Sequence, residues 1–224
     1  LVDENTAASL CYTSGTTGHP KGALYSHRST VLHALFISVT LPKSLNEGGR
    51  ILPVVPMFHV NSWGLPYAAP LVGASLIMPG PKLDGPSLYQ LMEAEQVTAS
   101  WGVPTVWLGL RAEVEAQGKP PEALSQLVIG GSAAPRAMID FFERQGVDVC
   151  HAWGMTEMSP VGTHAQVPAG MDLSFDERVS LKATQGRRVF GVEMKINDED
   201  CNALPQDGKA MGELFVRGNA IISG

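Results

Sequence analysis

The feature that most constrains this chain is the alternation of short apolar runs with segments of helical periodicity. Between the runs, apolar residues recur every three to four positions, and Ser26, Asp84, Pro104 and Pro135 stand where helices would begin. Because strands that alternate with helices form parallel βαβ units, we expect an α/β fold with a mostly parallel sheet flanked by helices. The runs predicted as strands are residues 10–13, 51–55, 74–78, 98–101, 127–129 and 147–152.

The pattern changes after about residue 168. Residues 189–196 and 213–216 are typical of strands, and turn residues lie between them at 205–208. We therefore predict two parts: an α/β core over residues 1–168, and a smaller β-rich subdomain over residues 169–224.

Composition and charge exclude several classes of protein. The net charge of −6 comes without a basic stripe, which argues against a nucleic-acid partner. We find neither a signal-peptide pattern nor an apolar run near the roughly 20 residues of a membrane span. The three cysteines form no CxxC pair, which favours reduced thiols over a disulfide framework or a zinc site. We expect a cytoplasmic protein.

Residues 12–22, YTSGTTGHPKG, carry the strongest functional signal. They follow a predicted strand and are expected to precede a helix. Small and hydroxyl residues leave backbone N–H and O–H donors free to meet anionic oxygens, and Lys21 adds a positive charge. The composition indicates a polyphosphate-binding loop, although the Walker pattern GxxxxGK[ST] is absent.

This loop resembles the signature loop of the adenylate-forming superfamily, which includes acyl-CoA synthetases, peptide-synthetase adenylation domains and luciferases. The resemblance implies that the loop binds the β- and γ-phosphates of ATP. The residues that take this role are Thr13, Ser14, Gly15, Thr16, Thr17, Gly18 and Lys21, of which Thr16 and Lys21 are also predicted to be catalytic.

Two further segments match the family in the expected order. Residues 130–135, GGSAAP, are similar to the family's adenine-contacting segment, and small residues there allow a flat ring to approach the backbone. Residues 151–157, HAWGMTE, resemble the family's aromatic-Gly-x-Thr-Glu motif. The resemblance implies that Thr156 contacts the α-phosphate and that Glu157 ligates Mg²⁺, both as catalytic residues. The adenine-binding residues that it implies are Gly131, Ser132, Ala133, Trp153 and Gly154.

The segment PMFHVNSWG at residues 56–64 indicates the class of acid. Peptide-synthetase domains place an aspartate after the phenylalanine to pair with an amino acid's ammonium group, whereas this chain has His59. An ammonium group would lack its counter-charge here, which disfavours amino acids. The stretch looks closest to AMP-forming medium- or long-chain fatty acid–CoA ligases. That likeness implies that His59 lies near the acyl and CoA channels and that Trp63 gates the acyl tunnel.

The resemblance implies ATP, Mg²⁺ and CoA as cofactor and substrates, a fatty acid as ligand, and a homodimer as a possible state of a full-length protein. The chain looks like an excerpt that stops before the family's ribose-binding aspartate, hinge and C-terminal lysine domain, and we expect it to be inactive alone. Two alternatives stay open: a truncated nucleotide- or acyl-binding module without catalysis, and an aryl-acid ligase.

Overall fold

A computed structural model describes residues 2–13 and 19–222. Its centre is a seven-stranded sheet in the order β4-β3-β5-β6-β7-β8-β9. The first five strands run parallel, and β8 and β9 are antiparallel additions at one edge. The predicted α/β fold with a mostly parallel sheet is confirmed. The strands are β3 (Arg50–Pro53), β4 (Ser75–Leu76), β5 (Ala99–Gly102), β6 (Gln126–Ile129), β7 (Asp148–Gly154), β8 (Val161–Ala165) and β9 (Arg187–Arg188).

Helices cover both faces of this sheet. One apolar cluster joins α1 and α3 to one face, and a second joins α4, α5, α6 and α7 to the other. Neighbouring residues of one strand serve opposite clusters, as Leu127 and Val128 do in β6, because successive strand side chains point to opposite faces. The helices are α1 (His27–Thr40), α3 (Leu65–Leu71), α4 (Gly85–Ala94), α5 (Pro104–Gln117), α6 (Arg136–Arg144) and α7 (Phe175–Lys182).

The predicted helix starts are borne out by local contacts. The Ser26 hydroxyl accepts from the Ser29 backbone N–H and the Asp84 carboxylate accepts from the Ser87 backbone N–H, as N-caps do. Pro104 is the first residue of α5, while Pro135 precedes α6 as its N-cap.

The expectation that a helix directly follows the phosphate loop is wrong. A strand intervenes: β1 (Ala7–Thr13) pairs antiparallel with β2 (Lys21–Ser26), and α1 begins only after β2. The physical reason is the period-two pattern of β2, in which Ala23 and Tyr25 are buried and their neighbours are not. The strands on either side of the phosphate loop therefore pair with each other.

Other boundaries differ from those predicted. The strand expected over residues 74–78 is limited to Ser75–Leu76, whereas β7 continues to Gly154 and so includes Trp153. Past residue 168, α7 packs against α6, β9 pairs with β8, and β10 (Val192–Asn197) pairs with β11 (Glu213–Gly218) as a smaller antiparallel sheet. The division at residue 168 stays a prediction.

Candidate functional site

A cleft lies at the carboxyl ends of β6 and β7, where open parallel sheets commonly bind ligands. Its volume is about 220 Å³. Six residues predicted separately from three sequence segments line it together. They are His59, Trp63, Gly131, Trp153, Gly154 and Thr156.

The segments at residues 130–135 and 56–64 meet at Trp63. The indole is 6% exposed, and a Cβ built on Gly130 would lie 3.1 Å from its ring. Gly131 has φ +77° and a Cβ there would lie 3.1 Å from Val103. Both positions therefore favour glycine, and the Trp63 ring packs directly on the backbone that follows β6.

The turn that presents Trp63 is left-handed. In α2 (Val60–Trp63), a single turn, all four residues have φ between +44° and +56°, which is unfavourable by roughly 1–2 kcal/mol per non-glycine residue. Buried contacts hold it in place. The Ser62 hydroxyl donates to the Val55 carbonyl at 2.7 Å, and the Asn61 amide donates to the Ser9 hydroxyl at 2.9 Å. The sequence carries little signal for this turn, since Asn61 is its one residue of a type that favours positive φ.

The Thr156–Glu157 segment is a 3-10 turn (Thr156–Met158) after Met155. The Tyr25 hydroxyl donates to the Thr156 carbonyl at 2.6 Å, and the Ile222 N–H donates to the Glu157 carbonyl at 3.0 Å. Burial, and secondarily the charges of Cys11 and Glu157, raise the pKa of Tyr25, which stays a neutral donor. Sequence reasoning missed Tyr25. Its place in an alternating strand next to the loop was the available signal.

The phosphate loop lies only partly within the described structure. Thr13 and Lys21 pair with each other at the end of β1 and the start of β2, next to the phosphate loop. Thr13 is half-buried and Lys21 is exposed. Ser14, Gly15, Thr16, Thr17 and Gly18 lie outside the described residues.

Ser132 and Ala133 are exposed in the loop between β6 and α6, next to the cleft lining rather than part of it. His151 on β7 stabilises this loop, because its Nε2 accepts a hydrogen bond from the Ala134 N–H at 3.3 Å. Burial lowers the pKa of His151, against opposing hydrogen bonds to backbone groups, which keeps the ring neutral as an acceptor.

Glu157 is a half-buried carboxylate beside Thr156, at the edge of the cleft. Among residues 2–13 and 19–222, no three His, Cys, Asp or Glu side chains converge as a metal cage. A lone carboxylate suits Mg²⁺, which typically uses one or two carboxylates together with substrate phosphates.

Cys11, Cys150 and Cys201 are free thiols. None of the helices in this part of the chain is both long enough and apolar enough to traverse a bilayer.

A larger groove of about 1250 Å³ lies between the β8–β9 edge and the β10–β11 pair. None of the predicted site residues lines it, and its walls are not at the carboxyl ends of the parallel strands. We therefore take the smaller cleft as the candidate functional site.

The fold and the cleft define an α/β protein with a candidate ligand site at the carboxyl ends of its parallel strands. The sequence profile described as AMP-binding enzyme matches residues 1–224, and the chain belongs to this family.

Several curated relatives are similar over nearly the whole chain. The medium-chain fatty acid–CoA ligase of Ectopseudomonas oleovorans is 54% identical over 99% of the chain and 41% of its own length. The 3-methylmercaptopropionyl-CoA ligase of Ruegeria lacuscaerulensis is 51% identical over 99% of the chain and 42% of its own length. The long-chain fatty acid–CoA ligase of Thermus thermophilus is 48% identical over the full chain and 41% of its own length. The chain thus spans about two fifths of these relatives.

A solved structure confirms the fold. A long-chain fatty acid–CoA ligase from Archaeoglobus fulgidus superposes with a TM-score of 0.80 at 26% identity, covering 96% of this chain and 42% of that one.

Proposed function

We propose that the protein activates a medium- or long-chain fatty acid with ATP, forming acyl-AMP and then acyl-CoA with release of pyrophosphate and AMP. One observation carries the proposal: residues that the sequence assigns to the acyl channel, to adenine and to the α-phosphate line one cleft. A carboxylate and the α-phosphorus of ATP must meet for adenylation, and this cleft is where the two groups would be brought together.

Different residues would bind the adenine ring, the α-phosphate and the β- and γ-phosphates of ATP. Trp153 and Gly154 would face the adenine ring with Gly131, Ser132 and Ala133 around it. Thr156 would donate to the α-phosphate. Thr13 and Lys21, together with Ser14, Gly15, Thr16, Thr17 and Gly18, would hold the β- and γ-phosphates.

Two anions repel as they approach, so charge neutralisation is the main chemical requirement. Lys21, the first residue of β2 after the phosphate loop, would supply one positive charge. The Glu157 carboxylate would hold Mg²⁺, which when bound supplies further charge neutralisation at the phosphates.

His59 and Trp63 would form the acyl side. His59 is exposed at the mouth and Trp63 is buried at the wall, an order that suits a polar carboxylate entrance and an apolar tail. Each buried CH₂ of the tail contributes about 0.8 kcal/mol. CoA would reach the acyl-adenylate from the His59 side.

The names of the relatives, a medium-chain and a long-chain fatty acid–CoA ligase, support a fatty acid as substrate. The free thiols are consistent with a cytoplasmic enzyme, and we propose that location. A homodimer is the proposed assembly of the full product.

A second candidate substrate is a short thioether acid, because one relative is named as a ligase for 3-methylmercaptopropionate. The test is acyl-CoA formation by the full product of the reading frame, with C4 to C18 fatty acids, 3-methylmercaptopropionate, benzoate and amino acids as substrates. Preference for unbranched fatty acids by orders of magnitude over amino acids is expected. Preference for benzoate would support the aryl-acid alternative, and nucleotide binding without turnover would support a binding module.

A further inference from the structure

His33, on the buried side of α1, contacts both walls of the cleft from behind. Its Nε2 accepts from the Val161 N–H at 3.2 Å, and a Cβ built on Gly64 would lie 2.7 Å from its Nδ1. Val161 lines the cleft, and Gly64 directly follows Trp63, which also lines it. One imidazole ring therefore spans the gap between the acyl side and the nucleotide side.

The ring acts as a neutral acceptor. His33 is 3% exposed, and burial lowers its pKa to about 3. Because Nε2 accepts a hydrogen bond, the proton of the neutral ring is on Nδ1. A protonated ring would direct a second N–H at the Val161 N–H, so the contact exists only in the neutral form.

On the nucleotide side, Val161 supports the backbone that leads to Thr156. Gly154 pairs with Val161 across β7 and β8, where the register is irregular. The Met155 N–H donates to the Pro160 carbonyl at 3.0 Å, and a Cβ on Gly154 would lie only 1.9 Å from that oxygen. A shift of Val161 would therefore move Gly154 and Met155.

On the acyl side, the ring occupies the space that a side chain at residue 64 would need. Gly64 has φ +80° and ends the left-handed turn that carries Trp63. His33 thereby limits how far Trp63 and Gly64 can move away from the cleft. Since packed interiors transmit small shifts, the ring fixes the distance between the two walls.

We propose that His33 is a positioning residue whose neutral imidazole sets the spacing between the wall that carries Trp63 and the wall that carries Gly154 and Thr156. The proposal rests on the proposed function, because it takes these walls as the acyl and nucleotide sides of one reaction site.

The kinetic test uses three variants of the full product. His33→Leu removes the acceptor, and His33→Gln keeps a neutral acceptor near the Nε2 position. Leu41→Ala removes buried apolar volume at the C-cap of α1, eight residues beyond His33, and removes no hydrogen bond to either wall. We expect His33→Leu to lower kcat/KM for both the acid and ATP by roughly 10- to 100-fold, the range for an unpaired buried donor. His33→Gln should restore most of this loss. Leu41→Ala should lower thermal stability while KM values stay near wild type. Equal kinetics for His33→Leu and Leu41→Ala would overturn the proposal.

A second readout does not depend on activity. Long-range ¹H–¹⁵N NMR should show His33 at pH 7 as a neutral ring protonated at Nδ1, and the Trp63 indole N–H should shift in His33→Leu but stay near its wild-type position in His33→Gln. A proton on Nε2, or an unmoved Trp63 resonance in His33→Leu, would refute the positioning role. If the wild-type protein used no acid with ATP, the proposed function would fail, and these spectra would still decide whether His33 holds the two walls.

Discussion

The hydroxyl of Tyr25 donates a 2.6 Å hydrogen bond to the carbonyl oxygen of Thr156. Tyr25 is on β2, which leaves the phosphate loop, and Thr156 begins the turn that carries Glu157. The contact joins the strand that follows the predicted phosphate loop to the predicted α-phosphate residue, although 131 residues separate Tyr25 from Thr156.

Tyr25→Phe tests this link. The substitution leaves a carbonyl without its donor in a largely buried place, which typically costs about 1–3 kcal/mol. We expect kcat/KM for ATP to fall by roughly tenfold, with a smaller change for the fatty acid. Tyr89→Phe is the matched control, because its hydroxyl donates to the Lys119 carbonyl on the other face of the sheet. Equal effects of the two substitutions on ATP kinetics would show that Tyr25 acts through general stability alone.

Trp63→Ala tests the acyl wall. Removing the indole opens space between residues 60–63 and Gly130. The kcat/KM for longer or bulkier acids should therefore rise relative to the kcat/KM for short acids. The KM for ATP should change less than the chain-length profile. Trp63→Phe, which keeps an aromatic wall, should stay nearer to wild type. An unchanged profile in Trp63→Ala, measured with C4 to C18 acids, would mean that Trp63 only packs.

The Lys182 ammonium is 4% exposed and lies 2.5 Å from both Glu143 and Asp148. Burial would raise the pKa of Asp148, but pairing with Lys182 and the hydrogen bond from Gln126 outweigh it and hold that pKa below its usual value. Lys182→Met leaves the partly buried Glu143 without that cation and Asp148 with only the exposed Lys43, and we expect a loss of about 3–5 kcal/mol in unfolding free energy. Lys43→Met is the control, since Lys43 also pairs with Asp148 but is 62% exposed. Chemical denaturation should show a much smaller loss for that variant.

His33 also predicts a pH dependence of stability. Its folded pKa of about 3 lies below the ordinary value of 6.5, so below pH 6.5 the unfolded chain takes up a proton that the folded chain does not. The contribution of the neutral His33 to the unfolding free energy is complete above pH 6.5 and is lost as the pH falls from 6.5 towards 3. Between pH 7 and pH 5, His33→Gln should remove about 2 kcal/mol of the wild-type decline in unfolding free energy. The variant should keep the part due to His151 and His164, whose pKa values burial also lowers. The measurement is urea unfolding of both proteins at pH 7 and pH 5. An equal decline in unfolding free energy in the wild type and in His33→Gln would contradict a neutral buried His33.

The sequence predicts the central fold because local and long-range signals agree there. Runs such as residues 127–129 are apolar throughout, as strands buried on both faces must be, and Ser26 and Asp84 mark helix starts with their own side chains. The β2 strand is short and follows a loop of glycine and hydroxyl residues. Apolar runs alone therefore do not predict the β1–β2 hairpin. Arg187–Arg188 carries no apolar signal because it pairs at the sheet edge.

The cleft is predictable in its parts and not in its assembly. The motifs at residues 56–64, 130–135 and 151–157 contain most of the lining residues, and each was identified by its resemblance to a family motif. The left-handed turn at Val60–Trp63 is imposed by contacts such as the Ser62–Val55 hydrogen bond, and no local pattern encodes it. The buried acceptor His33 is likewise visible only once α1 is packed against β8.

The most direct test of the account is fatty-acid-dependent ATP–pyrophosphate exchange by the full product of the reading frame, comparing wild type with Glu157→Ala. The wild-type protein should exchange pyrophosphate only when a fatty acid is present. Glu157→Ala should lose roughly 100-fold or more of the rate, the scale for removing one aligned charge-stabilising group. Glu115→Ala, which removes a helix-surface carboxylate paired with Arg111, should keep the wild-type rate. Exchange that is independent of fatty acid, or near-normal exchange in Glu157→Ala, would contradict the assignment of this cleft to adenylation.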